Sequence, residues 1–244
     1  MTVLPLDAVC FDYWNTLVHE DGRMLGIRRQ AWASVLGEAG LAVADHELDV
    51  AFEGAWRRFN AEWQANRQYV AVDAARDLLE SLGIDDGDGT LVAALVADLD
   101  DLAANAALEL TAGIAECLRT LKAAGLRLGI ICDVGMTPST GLRKVLDREG
   151  LLELFDHWSF SDEVGWYKPA PEIFRHALDG LGGVAPERAA HVGDIRRTDV
   201  AGAKGMGLVA VRYCGISDDT DDAFPEGDIV CADHRDLPGL LGVA

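Results

Sequence analysis

Basic side chains are scarce in this sequence. Its 244 residues include 21 Lys and Arg against 41 Asp and Glu, a formal net charge of −20 at pH 7. A nucleic-acid binder needs clustered basic residues to displace counterions, and anionic membrane surfaces also attract basic segments. We therefore expect no nucleic acid and no membrane as partner. A small anionic substrate is compatible with this charge, because a bound metal or a few cations can reverse the potential of one cleft.

Cysteines and long apolar runs are also few. The five cysteines are Cys10, Cys117, Cys132, Cys214 and Cys231. Their odd number and the lack of Cys-x-x-Cys spacing disfavour a disulfide framework or a zinc site, and they favour buried thiols in a reducing compartment. No stretch reaches the ~18 apolar residues of a membrane span, and the first residues lack the basic region of a signal peptide. We expect a cytoplasmic protein, monomeric or homodimeric.

What the sequence does contain is an alternation of short apolar runs and helical patterns. The apolar runs predict strands at 6–11, 126–132, 157–161, 189–192, 208–211 and 229–231. The patterns between them predict helices at 114–124, 138–148, 171–181, 198–204 and 235–241. This alternation predicts the α/β class, with a doubly wound parallel sheet of Rossmann-like topology.

A long helical segment interrupts this alternation after the first strand. Apolar residues at helical spacing predict four helices, at 27–36, 48–63, 70–82 and 90–104. We therefore predict an α-helical bundle inserted at 18–107, with the sheet domain formed by 1–17 and 108–244. Ligands of such sheets bind at the carboxyl ends of the strands, so polar residues that follow strands are the candidate site residues.

The first two strand ends carry acids and small polar groups. Asp12 follows the first strand and precedes Thr16, and its carboxylate suits a nucleophile or a metal ligand. The alternative interpretation is a turn that ends the strand. Cys132 ends the second strand, where a hydroxyl would hold an anion better than a thiol, and Asp133 follows it. The alternatives are core packing for Cys132 and a plain loop acid for Asp133.

The third and fourth strand ends carry a lysine and two acids. Lys168 lies in the block GWYKPAPEIF, where it suits a fixed cation toward a phosphoryl group, or else a solvated loop lysine. Asp194 and Asp199 lie in VGDIRRTD, and paired carboxylates suit Mg²⁺. Asp199 is alternatively an acid favoured by the N-terminus of a helix.

In their order and spacing these blocks resemble the haloacid dehalogenase superfamily of hydrolases. The resemblance covers the whole chain, and the helical cap inserted after the first motif is similar to the subgroup of phosphoglycolate-type phosphatases and L-2-haloacid dehalogenases. It implies that Asp12 is a nucleophile that forms a covalent intermediate and that Lys168 orients it. It also implies Mg²⁺ held by Asp12, the carbonyl of Trp14 and Asp194, with Asp199 as a second or water-bridged acid.

The sequence departs from that pattern at two positions. Trp14 stands where the phosphatases usually carry a second Asp, the general acid and base, and Cys132 stands where Ser or Thr is usual. General acid–base catalysis contributes typically ~10²–10⁴-fold. We therefore expect slow hydrolysis of alkyl phosphates unless another acid substitutes, and Asp133 is our candidate for that role.

Three functions are compatible with these residues. The favoured one is a Mg²⁺-dependent phosphatase or phosphotransferase for a small phosphorylated metabolite, since Asp12, Lys168, Asp194 and Asp199 are all present. The second is a dehalogenase-like hydrolase that attacks carbon, because halide leaves without protonation; Asp194 disfavours it by repelling a substrate carboxylate in the absence of metal. The third is a protein of this fold with a lost or reassigned, non-hydrolytic function.

The helical insertion supplies further cations. Arg67 and Tyr69, in the turn NRQYV, are the candidates for substrate contacts alongside Thr16 and Cys132. The other cap arginines, Arg28, Arg29, Arg57 and Arg58, are expected to be mostly solvated charges on helix faces. The histidines show no ligand spacing, and none is assigned a role.

Overall fold

The computed structural model describes residues 5–20, 22–105 and 108–243. Residues 1–4 and 244, at the two ends of the predicted sheet domain, and residue 107, at the end of the predicted helical insertion, lie outside the described residues. The strands are β1 (Ala8–Phe11), β2 (Val18–His19), β3 (Glu109–Leu110), β4 (Arg127–Cys132), β5 (His157–Phe160), β6 (Ala189–Gly193), β7 (Val209–Tyr213) and β8 (Ile229–Cys231). The helices are α1 (Met24–Glu38), α2 (Asp45–Gln64), α3 (Ala71–Ser81), α4 (Thr90–Asn105), α5 (Ile114–Ala123), α6 (Ser139–Arg148), α7 (Ser161–Val164), α8 (Pro171–Gly180), α9 (Ala201–Met206) and α10 (Leu237–Leu240).

Six strands form one parallel sheet in the order β5-β4-β1-β6-β7-β8, so the predicted α/β class and parallel sheet are confirmed. Strand β1 is central and buried along its whole length, as expected for a parallel strand covered on both faces. Its last residue, Phe11, is level with Ile130 of β4 and Val192 of β6. The residues that follow β1, β4 and β6 therefore leave the sheet at the same edge.

The structure adds short elements that the sequence did not predict. Strand β2 pairs antiparallel with β3, joining Val18 to Leu110. Two-residue strands are too short to give a hydrophobic period, so no pattern marked them. The predicted helix 198–204 begins instead with a π-helical turn at Arg196–Val200 and continues as α9.

The described chain divides into two compact units. The described residues of 1–19, 109–133 and 150–244 form the sheet unit, and those of 20–108 and 134–149 form the helical unit. Segment 134–149 belongs to the helical unit because α6 packs on α4. The predicted sheet domain, 108–244, includes that segment, so the observed division differs from the predicted one there.

The helical unit has its own apolar core. The indole nitrogen of Trp32 donates to the carbonyl of Leu95 at 3.0 Å, and its ring meets Phe52 edge-on with centroids 5.5 Å apart. Arg28 corrects a prediction: it is buried and its guanidinium donates to Thr137 Oγ1 at 3.0 Å, so it is not a solvated helix-face charge. An amphipathic pattern cannot reveal that a cation has a buried hydroxyl partner. Among the described residues, no helix is both long enough and apolar enough to cross a membrane.

The sheet unit is covered on one face by α8 and α9. Ile173 and Phe174 of α8 and Ala203 of α9 pack in one cluster with Cys10 and Ile131 of the sheet. The amphipathic pattern of α8 places these apolar residues on a single stripe. This packing fixes the helices that flank the carboxyl edge described below.

Candidate active site

Asp12 is the first residue after β1 and lies at the carboxyl edge of the sheet. Its backbone N–H donates to the carbonyl of Val192 at 2.8 Å, which extends the pairing of β1 with β6 by one residue. The side chain is buried, and Oδ1 accepts a hydrogen bond from Lys168 Nζ. A turn that merely ends the strand does not account for this ion pair.

Lys168 is buried between two carboxylates. Its side chain is 2% exposed, and Nζ donates to Asp12 and, at 2.7 Å, to Asp199 Oδ1. Burial alone lowers the pKa of Lys168, but the charges of Asp12 and Asp199 outweigh it and raise the pKa well above its usual value. The backbone N–H of Lys168 donates to Asp133 Oδ1 at 2.8 Å. The alternative of a solvated loop lysine is wrong.

Asp199, in the π-helical turn, receives hydrogen bonds on both oxygens. Oδ1 accepts from Lys168 and from His191 Nε2 at 2.8 Å, and Oδ2 accepts from the N–H of Ile195 at 3.1 Å. Burial favours a raised pKa, but Lys168 and His191 hold the pKa of Asp199 below its usual value. Gly193 makes room for this carboxylate, since a Cβ there would lie 2.2 Å from Asp199 Cγ. An acid that only stabilised the start of a helix would not need these contacts with Lys168 and His191.

Asp194 has fewer partners. It is the first residue after β6 and is buried, and Oδ2 accepts a hydrogen bond from Asn15 Nδ2 at 3.2 Å. Asn15 adopts a left-handed conformation with φ 55°, which Asn tolerates better than most residues. Burial, followed by the charge of Asp199, raises the pKa of Asp194 to about 7.

These acids fit a divalent cation. Asp12, Asp194 and Asp199 each offer a carboxylate oxygen within 4.8 Å of the others. Burial also raises the pKa of Asp12 well above its usual value, with Asp194 and Asp199 adding to the shift. Three acids of this cluster are buried beside one buried lysine, so Lys168 alone does not balance their charge. A hard cation bound by carboxylates would balance it.

The second strand end lies beside this cluster. The Cys132 side chain is fully buried, and burial raises the pKa of its thiol well above the usual value, so the thiol stays neutral. Asp133 uses Oδ1 to hold the backbone of Lys168. The ring of Trp14 is half-buried and meets Tyr13 edge-on with centroids 5.3 Å apart.

Thr16 anchors the loop that follows β1. Its carbonyl accepts hydrogen bonds from Thr111 Oγ1 at 2.6 Å and from His234 Nε2 at 2.8 Å. Its own hydroxyl is shielded from solvent and has no partner among the described residues. A substrate contact of Thr16 stays a prediction, because the observed contacts hold the loop in place.

Arg67 and Tyr69 belong to the helical unit. They line a polar pocket of about 420 Å³ there, together with Arg58, Glu62, Gln68, Asp73, Arg76 and Asp77. Arg67 is exposed and pairs with Glu62 at 2.5 Å, whereas Tyr69 is buried and its hydroxyl donates to Asp77 at 2.8 Å. The predicted substrate contacts of these two residues stay predictions.

Sequence reasoning missed three side chains that hold the site together. His191 lies in the apolar strand β6 and looks like core from its neighbours, while Asn15 and His234 act through single hydrogen bonds. One signal was available for His191: a titratable residue inside a buried strand needs a partner. Nothing in the local sequence identified Thr16 as the partner of His234, 218 residues away.

Parallel α/β proteins bind their ligands at the carboxyl edge of the sheet. The parallel sheet, with its cluster of acids and a lysine at that edge, identifies the molecule as an α/β protein with a ligand site there. Residues 6–207 match the model of the haloacid dehalogenase-like hydrolases. The chain therefore belongs to the haloacid dehalogenase-like hydrolase family and is a hydrolase.

Known proteins resemble the chain over half of its length or more. Glyceraldehyde 3-phosphate phosphatase of Methanopyrus kandleri is 30% identical over 92% of this chain and 93% of its own. A haloacid dehalogenase-type phosphatase from Thermococcus onnurineus has a similar structure, with a TM-score of 0.64 and 26% identity over 97% of this chain and 98% of its own. The haloacid dehalogenase-like hydrolase domain-containing protein 3 of Bos taurus is also 30% identical, but over 52% of this chain, and the chain spans about half (50%) of the length of that relative.

Proposed function

We propose that the chain is a Mg²⁺-dependent phosphatase that acts on a small phosphorylated metabolite through an aspartyl-phosphate on Asp12. The observation that carries the proposal is the Asp12 carboxylate held by buried Lys168 at the end of β1, with Asp194 and Asp199 beside it. Both phosphatases that resemble the chain support phosphatase activity, and the name of the Methanopyrus kandleri relative supports a small phosphorylated metabolite as substrate.

In this mechanism an Asp12 oxygen attacks phosphorus, and the bond from phosphorus to the leaving oxygen breaks. Water then attacks the aspartyl-phosphate, releasing inorganic phosphate and restoring the carboxylate. Lys168 orients Asp12 and offsets part of the negative charge that develops. Asp12, Asp194 and the Trp14 carbonyl would hold Mg²⁺, with Asp199 as a second or water-bridged acid, and when bound the ion would offset repulsion between carboxylate and phosphate.

The leaving oxygen requires a proton unless it is already stable as an anion. The indole of Trp14 is not an acid near neutral pH. We propose Asp133 as the donor for alkyl phosphates, and we expect aryl and acyl phosphates to react faster because their leaving groups need less protonation.

Phosphate release tests this proposal. We expect release from p-nitrophenyl phosphate and acetyl phosphate with Mg²⁺, weak release from glyceraldehyde 3-phosphate, and none after EDTA treatment. Asp12→Asn should abolish turnover, whereas Asp7→Asn, the same change at the opposite end of β1, should retain it. Halide release from 2-chloropropionate in EDTA, with no phosphate released from any ester, would overturn the proposal in favour of attack on carbon.

A further inference from the structure

His191 is a buried titratable side chain that the proposed mechanism does not use. It lies in the middle of β6, with its Cα level with Cys10 of β1 and Ala210 of β7. Its side chain is fully buried, and its ring meets Phe174 of α8 edge-on, with centroids 5.3 Å apart. Strand pairing on both sides and this ring contact leave the imidazole little freedom.

The bond between His191 and Asp199 has a defined direction. Both oxygens of the Asp199 carboxylate already accept hydrogen bonds, Oδ1 from the ammonium of Lys168 and Oδ2 from the N–H of Ile195, so the carboxylate acts as the acceptor toward the imidazole as well. His191 Nε2, 2.8 Å from Asp199 Oδ1, must therefore carry the hydrogen. The other ring nitrogen, Nδ1, is shielded from solvent and has no partner within the described part of the chain. Among the described residues, Asp199 is thus the one hydrogen-bond partner of the His191 imidazole.

Asp199 Oδ1 is also the atom that holds Lys168. His191 and Lys168 donate to this one oxygen, at 2.8 Å and 2.7 Å, and Lys168 continues to Asp12. The N–H of Ile195 holds the second oxygen of Asp199. The carboxylate is therefore held at both oxygens, and removal of the His191 donor would leave Oδ1 with Lys168, the side chain that it positions, as its remaining donor of the two.

We infer that His191 is a positioning residue of the active site, which fixes Asp199 and through it aims Lys168 at Asp12. The inference rests on the proposed phosphatase function for its catalytic consequence. Among the described residues, His191 bonds to Asp199 and not to the reacting carboxylate of Asp12, and in the proposed mechanism it does not bind the substrate. Replacement of the His191 side chain should consequently slow the chemical step and leave substrate binding nearly unchanged.

Two variants separate this role from simple packing. His191→Leu removes the donor, and His191→Gln keeps an N–H near the position of Nε2. With p-nitrophenyl phosphate we expect kcat to fall about 10²-fold in His191→Leu, the size of effect that misplaced catalytic groups produce. KM should stay within about twofold, and His191→Gln should recover most of kcat. His157→Leu, on strand β5, is the matched control and should behave as wild type.

A second measurement does not need turnover. The chain has four lysines, and Lys122, Lys144 and Lys204 form partly exposed ion pairs. In protein labelled with [¹⁵N]lysine, the ammonium signal of buried Lys168 should be resolved and slow to exchange. It should shift or broaden in His191→Leu and stay in place in His191→Gln and His157→Leu.

The two measurements distinguish failure of this inference from failure of the proposed function. If wild type releases phosphate from no ester, the proposed function is overturned, and the Lys168 signal still decides whether His191 positions Lys168. An unchanged signal in His191→Leu overturns the inference. A loss of kcat that His191→Gln does not recover, accompanied by a lower Tm in both variants, overturns it in favour of packing alone.

Discussion

Lys168 and Arg67 are both cations paired with carboxylates, but their surroundings differ. Lys168 is 2% exposed, contacts two buried acids and lies at the sheet edge, whereas Arg67 is 66% exposed and pairs with Glu62 on the helical unit. Burial removes the water that would otherwise screen the charges, so removing one member leaves the other uncompensated. An exposed pair loses little when it is broken. The comparison teaches that ion pairing by itself does not distinguish the two cations, whereas burial beside two acids does.

The largest effect should follow from Lys168→Met. Removing one partner of a buried pair typically costs about 3–5 kcal/mol of unfolding free energy, and turnover should be lost as well. Lys144→Met, which breaks partly exposed pairs with Asp100 and Asp101, should cost less than about 1 kcal/mol. Urea unfolding in EDTA measures both. Equal losses in the two variants would remove the distinction between buried and exposed pairs.

Asp133→Asn should have the next largest effect, on activity alone. Asparagine keeps an oxygen that accepts the Lys168 N–H but cannot donate a proton as an acid, so the substitution isolates the proposed acid role. We expect hydrolysis of alkyl phosphates to fall about 10²-fold and that of aryl or acyl phosphates to change little. Asp147→Asn, on the exposed surface of α6, is the control. Unchanged turnover of an alkyl phosphate by Asp133→Asn would contradict this assignment.

The third largest effect should be a dependence of stability on pH that arises from Asp194. The pKa of Asp194 rises from 3.8 to about 7 on folding, so between these values the folded state binds more protons than the unfolded state. This contribution is fully present below pH 3.8 and is lost as the pH rises through about 7. The buried histidines act in the opposite direction, because burial lowers the pKa values of His191 and His234.

Because the histidines mask it, the contribution of Asp194 to stability is measured as the difference in Tm between wild type and Asp194→Asn, both in EDTA. This difference should become less favourable to wild type as the pH rises from 4 to 8. We expect Mg²⁺ to stabilise wild type at pH 8 and to have less effect on the variant. A difference that does not change with pH would contradict the raised pKa of Asp194.

The smallest effect should follow from Arg67→Gln. Loss of its exposed pair with Glu62 should cost less than about 1 kcal/mol of stability. If the predicted substrate contact holds, KM rises about tenfold, as expected for a lost bond to a charged group, and kcat changes little. Arg57→Gln, which breaks another exposed pair, is the matched control. An unchanged KM in Arg67→Gln would leave Arg67 as a surface charge.

The strands and the acids at their ends could be predicted from the sequence because both leave a local signal. A short apolar run that ends at Asp12 or Asp194 is a local signal, and parallel pairing brings such ends together. The partners of those acids were not predictable in the same way. His191 resembles core in its strand, and Arg28 resembles a surface charge on its helix, because their partners Asp199 and Thr137 are defined by tertiary packing.

The space beside Gly193 has a consequence for substitution at that position. Gly193 does not have a left-handed backbone, so alanine would suit its conformation, but the side chain of Asp199 occupies the place that a methyl group would take. A library of all amino acids at position 193 should consequently yield active protein for glycine alone. Pairing such a library with a shorter residue at 199 should restore folding to the alanine variant but not its turnover. At this strand end, tolerance to mutation is governed by the room that the Asp199 carboxylate requires, rather than by backbone preference.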